Sequence, residues 1–298
     1  MKARIFCFLI FLFIISIVPV VDAQILLGEK VIQKSVEVVI NSANDVHVKH
    51  VIDSANIPKQ VELVNGTVSN ILVTNEHGKE QQFSVIGANK GVLIMPSDEN
   101  SILEYDIEDV LIQKNNVWTW SFRYLETTSF IFPEEVELVF ANERPVYLNE
   151  KKGITCHGCQ MVLEYSINEP KILENIRWED KEFIVEIRSH ANVERFNFDQ
   201  PTKSITFNVS DENVFVTTII PLELLWEPYS VFLNDGKIYF HKYINNGTHV
   251  WLNMKPETSG QITIIGTTAI PEFPVVAPLV IGFLIIFLIP FIQRFNLR

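Results

Sequence analysis

Between residues 24 and 268 apolar side chains recur at every second position far more often than at helical spacing. Trp118, Trp120, Phe122 and Tyr124 alternate with Thr119, Ser121 and Arg123, which sets the aromatics on one face of a strand. The same period runs through Val136, Leu138 and Phe140; Met161, Leu163, Tyr165 and Ile167; Phe183, Val185 and Ile187; and Ile205, Phe207 and Val209. Each run predicts a half-buried strand. Asn234-Asp235-Gly236 separates the runs Tyr229–Leu233 and Lys237–Tyr243, and its Asp-Gly pair supplies the positive φ angles of a tight hairpin. Pro221–Trp226 is expected to form one helical turn, with Pro221 in the first position, which tolerates it. No long stripe at i, i+3, i+4, i+7 supports a parallel βαβ architecture. The expected fold is all-β: two tandem antiparallel β-sandwich domains, residues 24–168 and 169–268, divided near Asn168-Glu169-Pro170.

The ends follow a different pattern. Lys2 and Arg4 precede an apolar run from Ile5 to Val18, then Pro19 and the small-residue site Val21-Asp22-Ala23, the plan of a secretory signal peptide over residues 1–23. Val275 to Ile292 carries no charge and is long enough to cross roughly 30 Å of hydrocarbon as a helix. Pro278 and Pro290 each remove one helical hydrogen bond from that span. Arg294 and Arg298 follow it, so the tail, residues 293–298, is expected in the cytoplasm and the rest of the chain outside the cell membrane. Residues 269–274 form the linker to the span.

The net charge of −12 argues against nucleic acid as a partner, because phosphate binding needs a basic footprint. Asn65-Gly66-Thr67, Asn208-Val209-Ser210 and Asn246-Gly247-Thr248 are glycosylation sequons on an exported chain.

Ile264-Ile265-Gly266-Thr267-Thr268-Ala269-Ile270-Pro271-Glu272-Phe273-Pro274, leading into an apolar span and a basic end, resembles the C-terminus of archaeal exported surface proteins. Its Pro271-Glu272-Phe273 core resembles the PEF-type sorting signal recognised by archaeosortases, and the N-terminal domain looks like those of uncharacterised archaeal exported proteins. The resemblance implies surface sorting, either with the helix kept as the anchor or with its removal and lipid attachment. Phe196-Asn197-Phe198-Asp199, Lys203 to Phe207, Ile220-Pro221 with Leu224-Leu225, and Tyr229 to Gly236 resemble the small immunoglobulin-like or fibronectin-like module that precedes such anchors. That module names an architecture and supplies no catalytic residues.

Cys156-His157-Gly158-Cys159 is the one local motif that carries chemistry. With Cys7 in the signal segment, these are the only cysteines of the mature chain, and in an oxidising exterior a disulfide between them pins a turn. Alternatively Cys156, His157 and Cys159 offer ligands for copper or zinc, or the Cys-x-x-Cys spacing serves thiol redox chemistry. Gln160 stands where haem attachment would require histidine. His47 and His50, three apart in a strand, point to opposite faces, and His77, His190, His241 and His249 are scattered. Glu134-Glu135, Glu179-Asp180 and Asp211-Glu212 read as solvated loop charges, and no nucleophile elbow, zinc-protease motif or phosphate loop is present. Two functions are therefore expected in competition: a membrane-anchored structural or interaction protein that contacts a cell-envelope protein, and an extracellular metal-binding or thiol-redox accessory protein.

Overall fold

The computed structural model describes residues 29–30, 33–149, 151–178 and 180–268. Every regular element among them is a β-strand, so the fold is all-β. No helix among the described residues is long and apolar enough to cross a membrane. The signal segment 1–23, the Pro271-Glu272-Phe273 motif and the apolar run 275–292 lie outside the described residues. The described residues form two compact units, one holding those up to Val38 together with His47–Ile107, the other Val39–Val46 and those from Glu108 to Thr268.

The first unit contains β1 (Glu29–Lys30), β2 (Gln33–Ile40), β3 (Val46–Ile52), β4 (Lys59–Glu62), β5 (Thr67–Asn75), β6 (Phe83–Ile86), β7 (Gly91–Ile94) and β8 (Ser101–Glu108). β2, β3, β8 and β5 lie side by side, and β1, β4, β7 and β6 form a second sheet in that order. The two-residue β1 runs parallel to β4, which pairs antiparallel with β7. In β3 the buried residues Val46, Val48, His50 and Ile52 alternate with half-buried ones, as the period-2 rule requires. His50 is thus the polar member of an otherwise aliphatic row. Its Nδ1 lies 2.5 Å from Gln33 Oε1 and its Nε2 2.8 Å from the Tyr105 hydroxyl, which accepts from Val64 N–H at 2.9 Å. That chain is satisfied by a neutral ring that donates from Nδ1 and accepts at Nε2. Burial accordingly pushes His50 down to about 3. Lys59 is also enclosed, at 0 % exposure, with its Nζ 3.4 Å from Ser101 Oγ.

The second unit begins with β9 (Ile112–Lys114), β10 (Val117–Arg123), β11 (Thr128–Ile131), β12 (Leu138–Ala141), β13 (Arg144–Tyr147), β14 (Gly153–Cys156) and β15 (Gln160–Tyr165). β13-β12-β15-β10-β9 make one sheet, and β11 pairs with β14. Trp120, Phe122 and Tyr124 are buried on one face, where Phe122 meets Phe130 edge-on at 4.7 Å between ring centroids. Trp118 is half-buried. The alternation ends at Tyr165; Ile167 lies beyond the strand.

It continues with β16 (Lys171–Trp178), β17 (Lys181–Ser189), β18 (Val193–Asp199), β19 (Ser204–Val209), β20 (Val216–Pro221), β21 (Leu225–Leu233), β22 (Gly236–Lys237), β23 (His241–Asn245), β24 (His249–Met254) and β25 (Gly260–Thr268). Two five-stranded sheets, β16-β17-β20-β24-β23 and β18-β19-β25-β21-β22, bury a common core that includes Val185, Ile187, Phe207, Val231, Leu252 and Ile264. Each such side chain withdrawn from water contributes about 1.5–3 kcal/mol. The junction Asn168-Glu169-Pro170 connects β15 to β16 within this unit, between two groups of sheets.

Three further local expectations change. Pro221–Trp226 is no helical turn: Pro221 ends β20 and Leu225 opens β21 in the other sheet. The three residues between reverse the chain through a bond from Leu224 N–H to Pro221 O at 3.0 Å. Leu222 and Leu224 are both buried, so the core claims two side chains that a single helical turn would have set apart. The hairpin at Asn234 exists, but the positive φ angles fall on Asn234 (47°) and Asp235 (69°), and Gly236 already pairs with Leu233. The run Lys237–Tyr243 is also not one strand, because β22 and β23 belong to different sheets.

Candidate functional site

Cys156 and Cys159 form a disulfide. Cys156 ends β14, which pairs with β11, whereas Gln160 begins β15 in the five-stranded sheet, so the bond spans a corner where the chain changes partners. A second corner, Tyr124 to Thr127, lies against it. Tyr124 N–H donates to Cys159 O at 3.0 Å, and Thr127 Oγ1 lies 2.9 Å from His157 Nδ1. Gly158 has a φ of +57°, and a Cβ there would stand 3.0 Å from Leu125 O. Gly153, at the start of β14, is tighter still: a Cβ would lie 1.7 Å from Phe130 O. Glycine is what lets the two backbones approach.

Both sulfurs are consumed by the bond, so in this state the corner presents no thiolate to copper or zinc, and His157 already has a partner on Nδ1. No group of three or more His, Cys, Asp or Glu among the described residues is placed to hold a metal ion. The thioredoxin-like helix that activates a Cys-x-x-Cys thiol has no counterpart among the described residues.

The sequons occupy three environments. Asn65 is exposed in the link between β4 and β5, Asn208 is half-buried within β19, and Asn246 is exposed in the loop between β23 and β24. His47 and His50 do face opposite sides of β3. His47 bonds Asp106 at 2.8 Å on the open side. The remaining histidines share no site.

A charged cleft of about 260 Å³ within the second unit has no signal in the sequence. Arg188 on β17 and Lys171 on β16 both grip Glu137, the lysine at 3.0 Å, while Glu134, Glu135 and Glu169 add carboxylates to the walls. Burial opposes ionisation of Glu137, and the two cations outweigh it, holding its carboxyl below the ordinary value. Glu169 goes the other way. Burial pushes it up to about 7, with Glu137 adding to the rise and Arg188 and Lys171 opposing it. Beyond the cleft, the Phe140 and Phe215 rings stack with centroids 3.5 Å apart. Lys255 Nζ lies 4.6 Å over Phe215 and 3.1 Å from Glu164 Oε1. These contacts hold the sheets of residues 108–165 against those of 171–268.

No protein-family model matches the chain, and no curated protein sequence matches it. Among solved structures, an aminopeptidase N family protein from Idiomarina loihiensis is similar over 50% of this chain, at 7% identity and a TM-score of 0.34. This chain spans 31% of that protein's length, and a likeness of that size carries neither fold nor activity across.

Proposed function

We propose that the chain is an exported cell-surface protein, anchored in the cell membrane by the apolar segment 275–292, with tandem immunoglobulin- or fibronectin-like sandwiches outside that contact a cell-envelope protein. The observation that carries this reading is the Cys156–Cys159 disulfide at an exposed corner. A disulfide persists in an oxidising exterior, whereas a cytosol keeps such thiols reduced. The signal-like segment 1–23, the acidic composition and the Pro271-Glu272-Phe273 approach to the apolar run agree with the same address. The sheets bury their aromatic rows as core, which suits a scaffold and a contact surface.

The test is protease treatment of intact cells followed by peptide mass spectrometry. Peptides from residues 33–268 are released without lysis, the mature N-terminus is Gln24, and the peptide pair containing Cys156 and Cys159 resists alkylation until reduced. An N-terminus at Met1, protection of these peptides, or a free thiol pair that retains copper or zinc defeats the proposal.

A further inference from the structure

Gly247 and Thr248 of the sequon Asn246-Gly247-Thr248, with His249, line a groove of about 820 Å³ in the second unit, within the range that holds a small organic ligand, and Asn246 stands at its edge as their chain neighbour. The opposite wall is apolar and uncovered: Trp226 is 48% exposed and Ile184 51% exposed, with Leu222 and Phe183 beneath them. Large side chains left open together in a concave site mark a surface that something covers. The rim is polar, closed by the Lys181–Glu223 ion pair at 3.1 Å.

The loop itself presents one reactive atom. Asn246 Oδ1 accepts from Thr248 N–H at 3.0 Å, from the Thr248 hydroxyl at 2.9 Å and from His249 N–H at 2.8 Å. Those three bonds fix the side chain, and Nδ2 makes none, although the residue is exposed. Gly247, with a φ of +86°, gives the loop its turn and leaves open space above its Cα. The other sequons lack this combination. Asn208 sits inside β19 beside a groove lined chiefly by polar side chains such as Glu194 and Arg195, and none of Asn65, Gly66 and Thr67 lines any of the grooves described here.

We infer that Asn246 carries an N-linked oligosaccharide whose first sugars lie in this groove, their apolar ring faces against Trp226. The inference rests on the cell-surface reading, since the donor is a lipid-linked oligosaccharide met during export. In the transfer, Nδ2 forms a bond to the sugar C1 while the C1–O bond to the donor's lipid phosphate or diphosphate breaks. The phosphate leaves with that electron pair, and Nδ2 gives up one proton to a base. The sugar hydroxyls meet His249, Glu223 and Lys181 at the rim, while Trp226 and Ile184 lose their exposure to water.

The experiment uses the full chain purified from its own cells, as wild type, Asn246→Gln, Thr248→Ala and Thr248→Ser. Peptide masses report the sugar on Asn246, and brief hydroxyl-radical oxidation reports the exposure of Trp226, with half-buried Trp118 as the internal reference. The expected result is a hexose-containing mass on Asn246 in the wild type and Thr248→Ser, absent in the other two, with Trp226 oxidised several-fold faster wherever the sugar is missing. A bare Asn246 on a chain whose N-terminus is Gln24 overturns this inference alone. A glycan that leaves Trp226 as reactive as in Asn246→Gln overturns the groove. A bare Asn246 on a chain still beginning at Met1 overturns the cell-surface reading with it.

Discussion

Acid should unfold the first unit before the second, and His50 should be the main reason. Its ring is neutral in the fold because Nε2 accepts from Tyr105, and protonation there would leave two donors facing each other in a site without water contact. The folded value of about 3 against an ordinary 6.5 means the unfolded chain binds the extra proton between those limits. Stability is therefore unaffected above pH 6.5 and falls as pH drops through the window. Linkage gives a loss of about 3 kcal/mol by about pH 4.5, and about 5 kcal/mol below pH 3. Asp106 adds to the loss at the acid end, because hydrogen bonds from Asn70 and His47 hold it below its ordinary value. His50→Gln separates the two, since glutamine keeps a donor and an acceptor without titrating here. All five tryptophans lie in the second unit, so their fluorescence follows that unit alone and far-UV circular dichroism must supply the first. With a urea slope of about 1 kcal/mol/M for a unit of this size, the wild-type midpoint of the first transition should fall by about 2–3 M between pH 6.5 and 4.5, relative to His50→Gln. Equal shifts in both proteins would refute the neutral buried ring.

Glu169 acts in the opposite direction. Its carboxyl titrates near 7 in the fold, so the second unit loses stability as pH rises from about 4.5 through 7, and Glu169→Gln should remove that slope and gain roughly 1–2 kcal/mol at pH 8, after allowance for its partial exposure. Thermal melts of the two proteins at pH 5 and 8 decide it. Replacing Cys156 and Cys159 together by serine should cost about 2 kcal/mol at most, because the closed loop is four residues long, and should leave partner binding unchanged. Phe140→Ala and Phe215→Ala should each cost about 3–5 kcal/mol, and a double-mutant cycle between them should return a coupling of about 0.5–1.5 kcal/mol, read from tryptophan-monitored urea unfolding.

The strand faces could be read directly from the sequence. Trp120, Phe122 and Tyr124, or Phe183, Val185 and Ile187, are buried where period 2 puts them, because burial of one face is the dominant local constraint on a strand. His50 was legible by the same rule, since it continues the buried row Val46, Val48 and Ile52. Which strands share a sheet was not legible. Lys237–Tyr243 looks continuous in sequence yet changes sheets, and β14 and β15, three residues apart, pair with different partners. Non-local pairing decides such things. The cleft of Glu137, Glu169, Lys171 and Arg188 was invisible for that reason, as its members come from separate strands and links with no shared spacing. At Cys156-His157-Gly158-Cys159 the residues allow a disulfide, a metal site or thiol redox chemistry, and in the structure the two cysteines are bonded to each other.

Lys59 turns the first unit into its own clock. Its amine is sealed at 0 % exposure, whereas that of Lys34 has 49 % of its side chain open to solvent. An acylating reagent reaches Lys34 at once, but Lys59 only in the moments when β4 departs from its sheet. The ratio of the two labelling rates then measures the free energy of that opening in the folded protein, with neither denaturant nor mutation.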